Sequence, residues 1–134
     1  MFFFFDDNNL PANAGTPSNI DYSESLFESI KHIDDNGNEF WYARELQIAL
    51  EYKEWRNFIK VIERAIIACQ NSENNVYEHF VEVNKMSPVP NGGTRIIDDY
   101  ELSRYACYLI VQNGDARKKV IALGQTYFAV KTRQ

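Results

Sequence analysis

The sequence predicts an α+β fold, a compact single domain with about four main helices and two small β-hairpins. Three observations carry this expectation. Residues 53 to 69 place Trp55, Phe58, Ile59, Ile62, Ala65, Ile66 and Cys69 at steps of three and four, the spacing of one helix face. Two turn signals, Asp34-Asp35-Asn36-Gly37-Asn38 and Ser87-Pro88-Val89-Pro90-Asn91-Gly92-Gly93, each lie between segments of strand character. Ser103 and Gly114 bracket an apolar block as an N-cap and a C′ residue do. The chain of 134 residues suits one domain, large enough to build a core without disulfides or metal.

Residues 1–22 read as an acidic tail. Asn, Asp, Pro, Gly and Ser dominate them, and such composition buries too little surface to offset its ordering entropy. Phe2 to Phe5 are the exception: either they dock on the body or a neighbouring chain, or the run is incidental. Order is expected from Ser23, which gives a domain over residues 23–134. Leu26, Phe27 and Ile30 have helical spacing, while Ile30 to Ile33 suit a strand equally. Phe40 to Tyr42 read as the returning strand of a first hairpin. Its acidic loop is a plain turn. An EF-hand needs Asp or Asn at alternating positions before its Gly and a Glu near its end, and Gly37 comes too early.

Ala43 to Leu50 reads as a short helix that Glu51-Tyr52 interrupts, and a longer helix follows from Lys53 to Cys69. Asn71 to Asn75 is a loop, and Val76 to Phe80 one helical turn. Val81 to Met86 and part of Thr94 to Tyr100 alternate, which predicts a second hairpin with a mobile tip. A helix then runs from the Ser103 cap through Asn113. Asp115 caps a last helix with Val120, Leu123, Gly124, Tyr127 and Phe128 on its apolar stripe.

The net charge of −5 lies at the front. Residues 1–34 hold one base and six acids, and residues 35–134 hold 13 of each. From Arg104 onward six bases face Asp115 alone. Whole-chain charge therefore does not exclude phosphate ligands. Lys53, Arg56, Lys60 and Arg64 are spaced as one basic ridge on the long helix. Lys85 and Arg95 stand on the arms of the second hairpin. Arg117, Lys118 and Lys119 fall in the expected first turn of the last helix, where the helix dipole disfavours cations unless an anion is near. These nine residues are the candidate DNA-binding set, and an ordinary solvated face is the plain alternative.

Other chemistries find little support. No apolar run approaches the length of a membrane span, and Phe2 to Phe5 lack the basic flank and length of a signal peptide. A cytoplasmic protein without a membrane partner is expected. Cys69 and Cys107 sit in apolar helical patterns and read as buried reduced thiols. Nucleotide-binding glycine signatures, zinc spacings and nucleophile elbows are missing, so no cofactor or metal is expected. His32 and His79 are isolated and read as structural. Asp98, Asp99 and Glu101 are the tight acidic cluster of the body. They suit a strand end leading into a capped helix, with a magnesium nuclease site as the weaker reading.

Two blocks resemble a known family. The first is Trp41-Tyr42-Ala43-Arg44-Glu45-Leu46 with Leu50-Glu51-Tyr52 and Trp55-Arg56-Asn57-Phe58. The second is Leu102 to Asp115, followed by Gly124-Gln125-Thr126-Tyr127-Phe128-Ala129-Val130-Lys131-Thr132-Arg133. Both resemble the DNA-damage-inducible protein D family, whose N-terminal half is related to the BRO-N domain. The resemblance runs from about Phe27 to the end and implies a small α+β, BRO-N-like domain classed as DNA-binding. It also implies a link to the bacterial damage (SOS) response and to modulation of the recombinase that coats single-stranded DNA. Ala116 stands where members usually carry Pro, a change the first helical position tolerates. Residues 1–22 match nothing in the family. Members are longer, so functions that need their other half lie outside this resemblance.

Two functions remain. One is a non-enzymatic DNA-binding regulator, in which a winged-helix-like short helix, turn and long helix contact phosphate and the second hairpin acts as a wing. Gly is common in such turns, and Glu51 departs from that. The other is a protein-interaction module acting on the recombinase filament, for which Trp41, Trp55, Tyr105, Tyr108, Tyr127 and Phe128 would supply docking aromatics. The form of DNA stays open, as does a homodimer.

Overall fold

The computed structural model describes residues 19–132. Its elements are α1 (Asn19–Ser29), β1 (Lys31–Ile33), β2 (Glu39–Tyr42), α2 (Ala43–Ala49), α3 (Trp55–Asn71), α4 (Val76–His79), β3 (Phe80–Pro88), β4 (Thr94–Leu102), α5 (Arg104–Gln112) and α6 (Lys119–Thr132). This is an α+β domain, as expected. Helix α1 starts at Asn19, four residues ahead of the expected onset of order. The Phe2 to Phe5 run lies outside the described residues.

The two hairpins form at the turn signals, but they are not separate. They join into one antiparallel sheet in the order β1-β2-β4-β3. The junction is short, pairing Trp41 with Leu102 and Tyr42 with Glu101. Alternation along the strands then sets one face. Trp41, Leu102 and Phe80 are cross-strand neighbours on that face, and all are buried. Helix α6 closes over them, with the Phe128 and Trp41 rings 5.3 Å apart, edge to face. Phe27 of α1 stacks on Tyr127 at 5.3 Å, and its carbonyl accepts from Trp41 Nε1 at 2.9 Å. That hydrogen bond satisfies the one polar atom of the buried indole.

Helix α3 begins at Trp55, two residues later than its spacing predicts, so Lys53 precedes it. Phe58, Val61, Ile62, Ala65 and Cys69 form its buried stripe. In the turn between α2 and α3, Glu51 takes φ +63°, the left-handed conformation usually left to Gly. The departure noted at Glu51 therefore changes the residue and not the turn. Ser103 caps α5 as expected, its Oγ accepting from the Ala106 N–H at 3.0 Å. Gly114 follows that helix for a different reason from the one expected. It has no positive φ, but a Cβ there would sit 2.7 Å from Ile121 Cδ1. Gly124 likewise lets α6 approach α5, since a Cβ would lie 2.9 Å from Val111 Cγ1.

The β1–β2 loop is a plain turn. The Asp34 carboxylate accepts from the Asn36 and Asn38 N–H groups, and Gly37 takes φ +83°. Cys69 and Cys107 are buried free thiols, and burial pushes the Cys107 thiol well up from its ordinary value.

Candidate nucleic-acid interface

Arg56, Lys60 and Arg64 project from the solvent side of α3, opposite its buried stripe. Arg56 is 84% exposed, with the nearby Glu54 carboxylate at 4.0 Å. Lys53 and Lys60 are exposed and have no ion-pair partner among the described residues. Arg64 reaches the end of α5, donating to the Asn113 carbonyl at 3.3 Å.

That contact brings the Asp115–Lys119 segment beside α3. The expectation for this segment needs correction. Helix α6 starts at Lys119, so Lys118 stands at its N-cap and Arg117 in the preceding turn, both still at the positive end of the helix. Asp115 supplies the missing anion, binding the Arg117 guanidinium through both carboxylate oxygens at 3.0 Å. Arg117 is still 91% exposed. Lys118 has a structural job: its Nζ donates to the Glu51 carbonyl at 2.9 Å and lies 3.7 Å from the Tyr52 ring centre. It fastens the corner before α6 to the α2–α3 turn. Lys119 is exposed.

The hairpin pair divides in the same way. Arg95 is exposed on β4. Lys85 is not a free cation. Its Nζ lies 2.7 Å from Asp99 Oδ2 and 3.3 Å from the Tyr42 ring centre. Asp99 is fully buried, and its Oδ1 accepts from the Arg44 and Tyr100 N–H groups. This arrangement also disposes of the acidic cluster as a unit. Alternation sends Asp98 to the opposite face from Asp99, and Asp99 is held by Lys85. Among the described residues no three His, Cys, Asp or Glu side chains are grouped to hold a metal ion.

Arg44 carries a role that spacing did not reveal. Its Nε donates to the Asp98 carbonyl at 2.8 Å while its guanidinium lies 3.9 Å from the Trp55 ring centre. It therefore joins β4 to the first residue of α3, and burial lowers its pKa. A groove of about 350 Å³ opens beside this joint, between Trp55 and Ile59 of α3 and the strand residues Glu82, Asn84, Asp98 and Tyr100. Its two exposed carboxylates make it a poor seat for phosphate.

A second polar network lies within the body. Arg104 donates twice to Glu39, and its guanidinium lies 5.0 Å from the Trp41 ring centre and 5.1 Å from that of Tyr127. The Arg104 hydrogen bond holds the Glu39 carboxyl below its ordinary range. Tyr127 donates to Glu28, which also pairs with Lys31 at 2.8 Å. Burial, then this bond to Glu28, raises the Tyr127 pKa. His32 bonds Glu45 at 2.7 Å and His79 bonds Ser103 at 2.6 Å, which are structural contacts. Three of the docking aromatics, Trp41, Tyr127 and Phe128, need correction too. Trp41, Tyr127 and Phe128 are buried in the core, and Trp55, Tyr105 and Tyr108 pack against it.

The structure thus puts Arg56, Lys60 and Arg64 on the solvent face of α3, leaves Arg117 and Lys119 exposed on either side of the Lys118 brace, and sets Arg95 apart on the hairpin. Along the chain, α2 and its turn lead into α3, and the β3–β4 hairpin follows after the short α4. Comparison with known proteins agrees with the resemblance read from the two blocks. The family described as BRO family, N-terminal domain, matches residues 29–129. DNA damage-inducible protein D of Escherichia coli (strain K12) is 52% identical over 108 residues, covering 81% of this chain and 39% of that protein. The chain thus spans about two fifths of that relative's length. No solved structure matches. Among the described residues no helix is long and apolar enough to cross a membrane.

Proposed function

This chain belongs to the BRO family, carrying its N-terminal domain, and from that premise we propose that it is a non-enzymatic, DNA-binding regulatory module. The observation that carries the reading is the exposed ridge of Arg56, Lys60 and Arg64 on α3, with Arg117 and Lys119 as further exposed cations. Lys53 lies just ahead of the ridge, and Arg95 stands on the wing. Phosphate contacts of this kind position a protein on DNA and carry no base sequence. A place in the cytoplasmic damage response draws on the name of the relative, DNA damage-inducible protein D.

A salt titration of fluorescence anisotropy with single- and double-stranded DNA tests this. Neutralising about five phosphates gives a slope of log K on log salt of roughly −4.5 on duplex. Absence of binding at low salt removes DNA as the ligand. The second reading, docking to a recombinase filament, draws on a cavity of about 450 Å³ where Asp34, Glu78, Glu101 and the Arg104-paired Glu39 surround Phe40 and Val81. Such a cavity suits a basic peptide. Binding to the filament without binding to bare DNA would favour it.

A further inference from the structure

The far end of the β3–β4 hairpin stands away from the body. Beyond the Lys85–Ile97 pair the ladder continues for three more residue pairs, to Pro88 and Thr94. At about 3.3 Å per residue that is an arm of about 10 Å before its loop. Neither edge of this stretch is paired to another strand among the described residues. On one face of it Met86 and Ile96 are direct cross-strand partners, each 67% exposed. Arg95 is the one charged residue from Met86 to Ile97, and it points from the reverse face. Asp98 follows on the same face one step toward the body, and outward of it the apolar pair stands uncovered.

The arm also leaves the body at a telling place. Arg44 ties the backbone of β4 at Asp98 to Trp55, so the arm departs beside the N-terminus of the ridge helix. The groove that carries Glu82 and Asp98 lies between α3 and the strands that bear the arm. The minor groove of DNA is about 7.5 Å deep, within the arm's reach. Met and Ile are among the side chains that enter that groove and part base steps. We infer that Met86 and Ile96 form a wedge that unstacks a base step from the minor groove and kinks the duplex, with Arg95 holding a flanking phosphate. This deepens the DNA-binding reading and rests on it.

The test uses the full chain and a short duplex with a central TA step, a site that unstacks easily. The duplex carries 2-aminopurine at the step and a donor–acceptor pair at its ends. Wild-type protein is expected to raise 2-aminopurine fluorescence and shorten the end-to-end distance. The Met86→Thr/Ile96→Thr variant keeps strand propensity and is expected to melt with the wild type. It should bind with an unchanged salt slope and lose both signals. Arg95→Ala should instead flatten the slope by about 0.9, one phosphate. Binding with both signals intact in the double-Thr variant overturns the wedge and leaves DNA binding standing. No duplex binding by wild type overturns the wedge, and no binding to single-stranded DNA either overturns the DNA-binding reading with it. A dimer that the double-Thr variant loses, with the duplex signals unchanged, also overturns the wedge and gives the apolar pair to a second copy.

Discussion

The two ends of the β3–β4 hairpin share one ladder and one alternation, yet they do opposite things. At the base, Phe80 and Leu102 are buried under Trp41, and Asp99 is sealed beneath Lys85. At the tip, Met86 and Ile96 occupy equivalent positions on the same face and stand in solvent. The cations divide in the same way. Lys85 and Lys118 each meet an oxygen and an aromatic ring and hold the fold, while Arg56, Lys60 and Arg95 extend outward. A basic residue in this domain is thus a free surface cation or a brace depending on what lies beneath it, and its charge alone does not say which.

Substitutions at the base sharpen the contrast most. Trp41→Ala removes a fully buried indole and its hydrogen bond to Phe27. A loss of about 3–5 kcal/mol in urea unfolding is expected. If the base tolerates this as the tip tolerates Thr, the division fails. Lys85→Met keeps the stem over Tyr42 but leaves the buried Asp99 carboxylate without its cation. It should cost about 2 kcal/mol, below the full value for a buried pair because Lys85 is partly solvated.

A pH titration gives a smaller effect. The Arg104 hydrogen bond lowers the Glu39 pKa in the folded state. Its stabilisation is therefore complete above the unfolded carboxylate value of about 4.3 and is lost as pH falls through the folded value. Glu39→Gln should flatten stability against pH in the acid range and leave neutral pH dependence unchanged. Smallest of all is Arg117→Ala. An exposed pair two residues apart contributes little, so the thermal unfolding midpoint should coincide with that of wild type.

Much of the framework was legible in the sequence because it is local. The α3 stripe, the Ser103 cap, the Gly37 turn and the second hairpin each follow from residues within one or two turns of each other. What escaped is what depends on distant partners. Two residue pairs join β2 to β4 across some sixty positions, and no local pattern marks them. Lys85 reads as an exposed strand cation until Asp99 and Tyr42 are placed beneath it. Lys118 reads as a helix cation until Tyr52 and Glu51 arrive. Trp41, Tyr127 and Phe128 look like docking residues in the sequence, yet they form the core because a small domain needs its largest side chains there. The exposed face of Arg56, Lys60 and Arg64 was legible because its spacing and solvent exposure are both properties of a single helix, while Lys53 falls ahead of that helix.

The most direct measurement compares the salt slope of DNA binding in two variants, Arg56→Ala/Lys60→Ala/Arg64→Ala and Lys85→Met, against wild type. The ridge variant should flatten the slope by about 2.7, three phosphates. Lys85→Met should leave it unchanged although the protein is less stable. Equal flattening by both, or an unchanged slope in the ridge variant, would contradict the assignment of α3 as the phosphate-binding face.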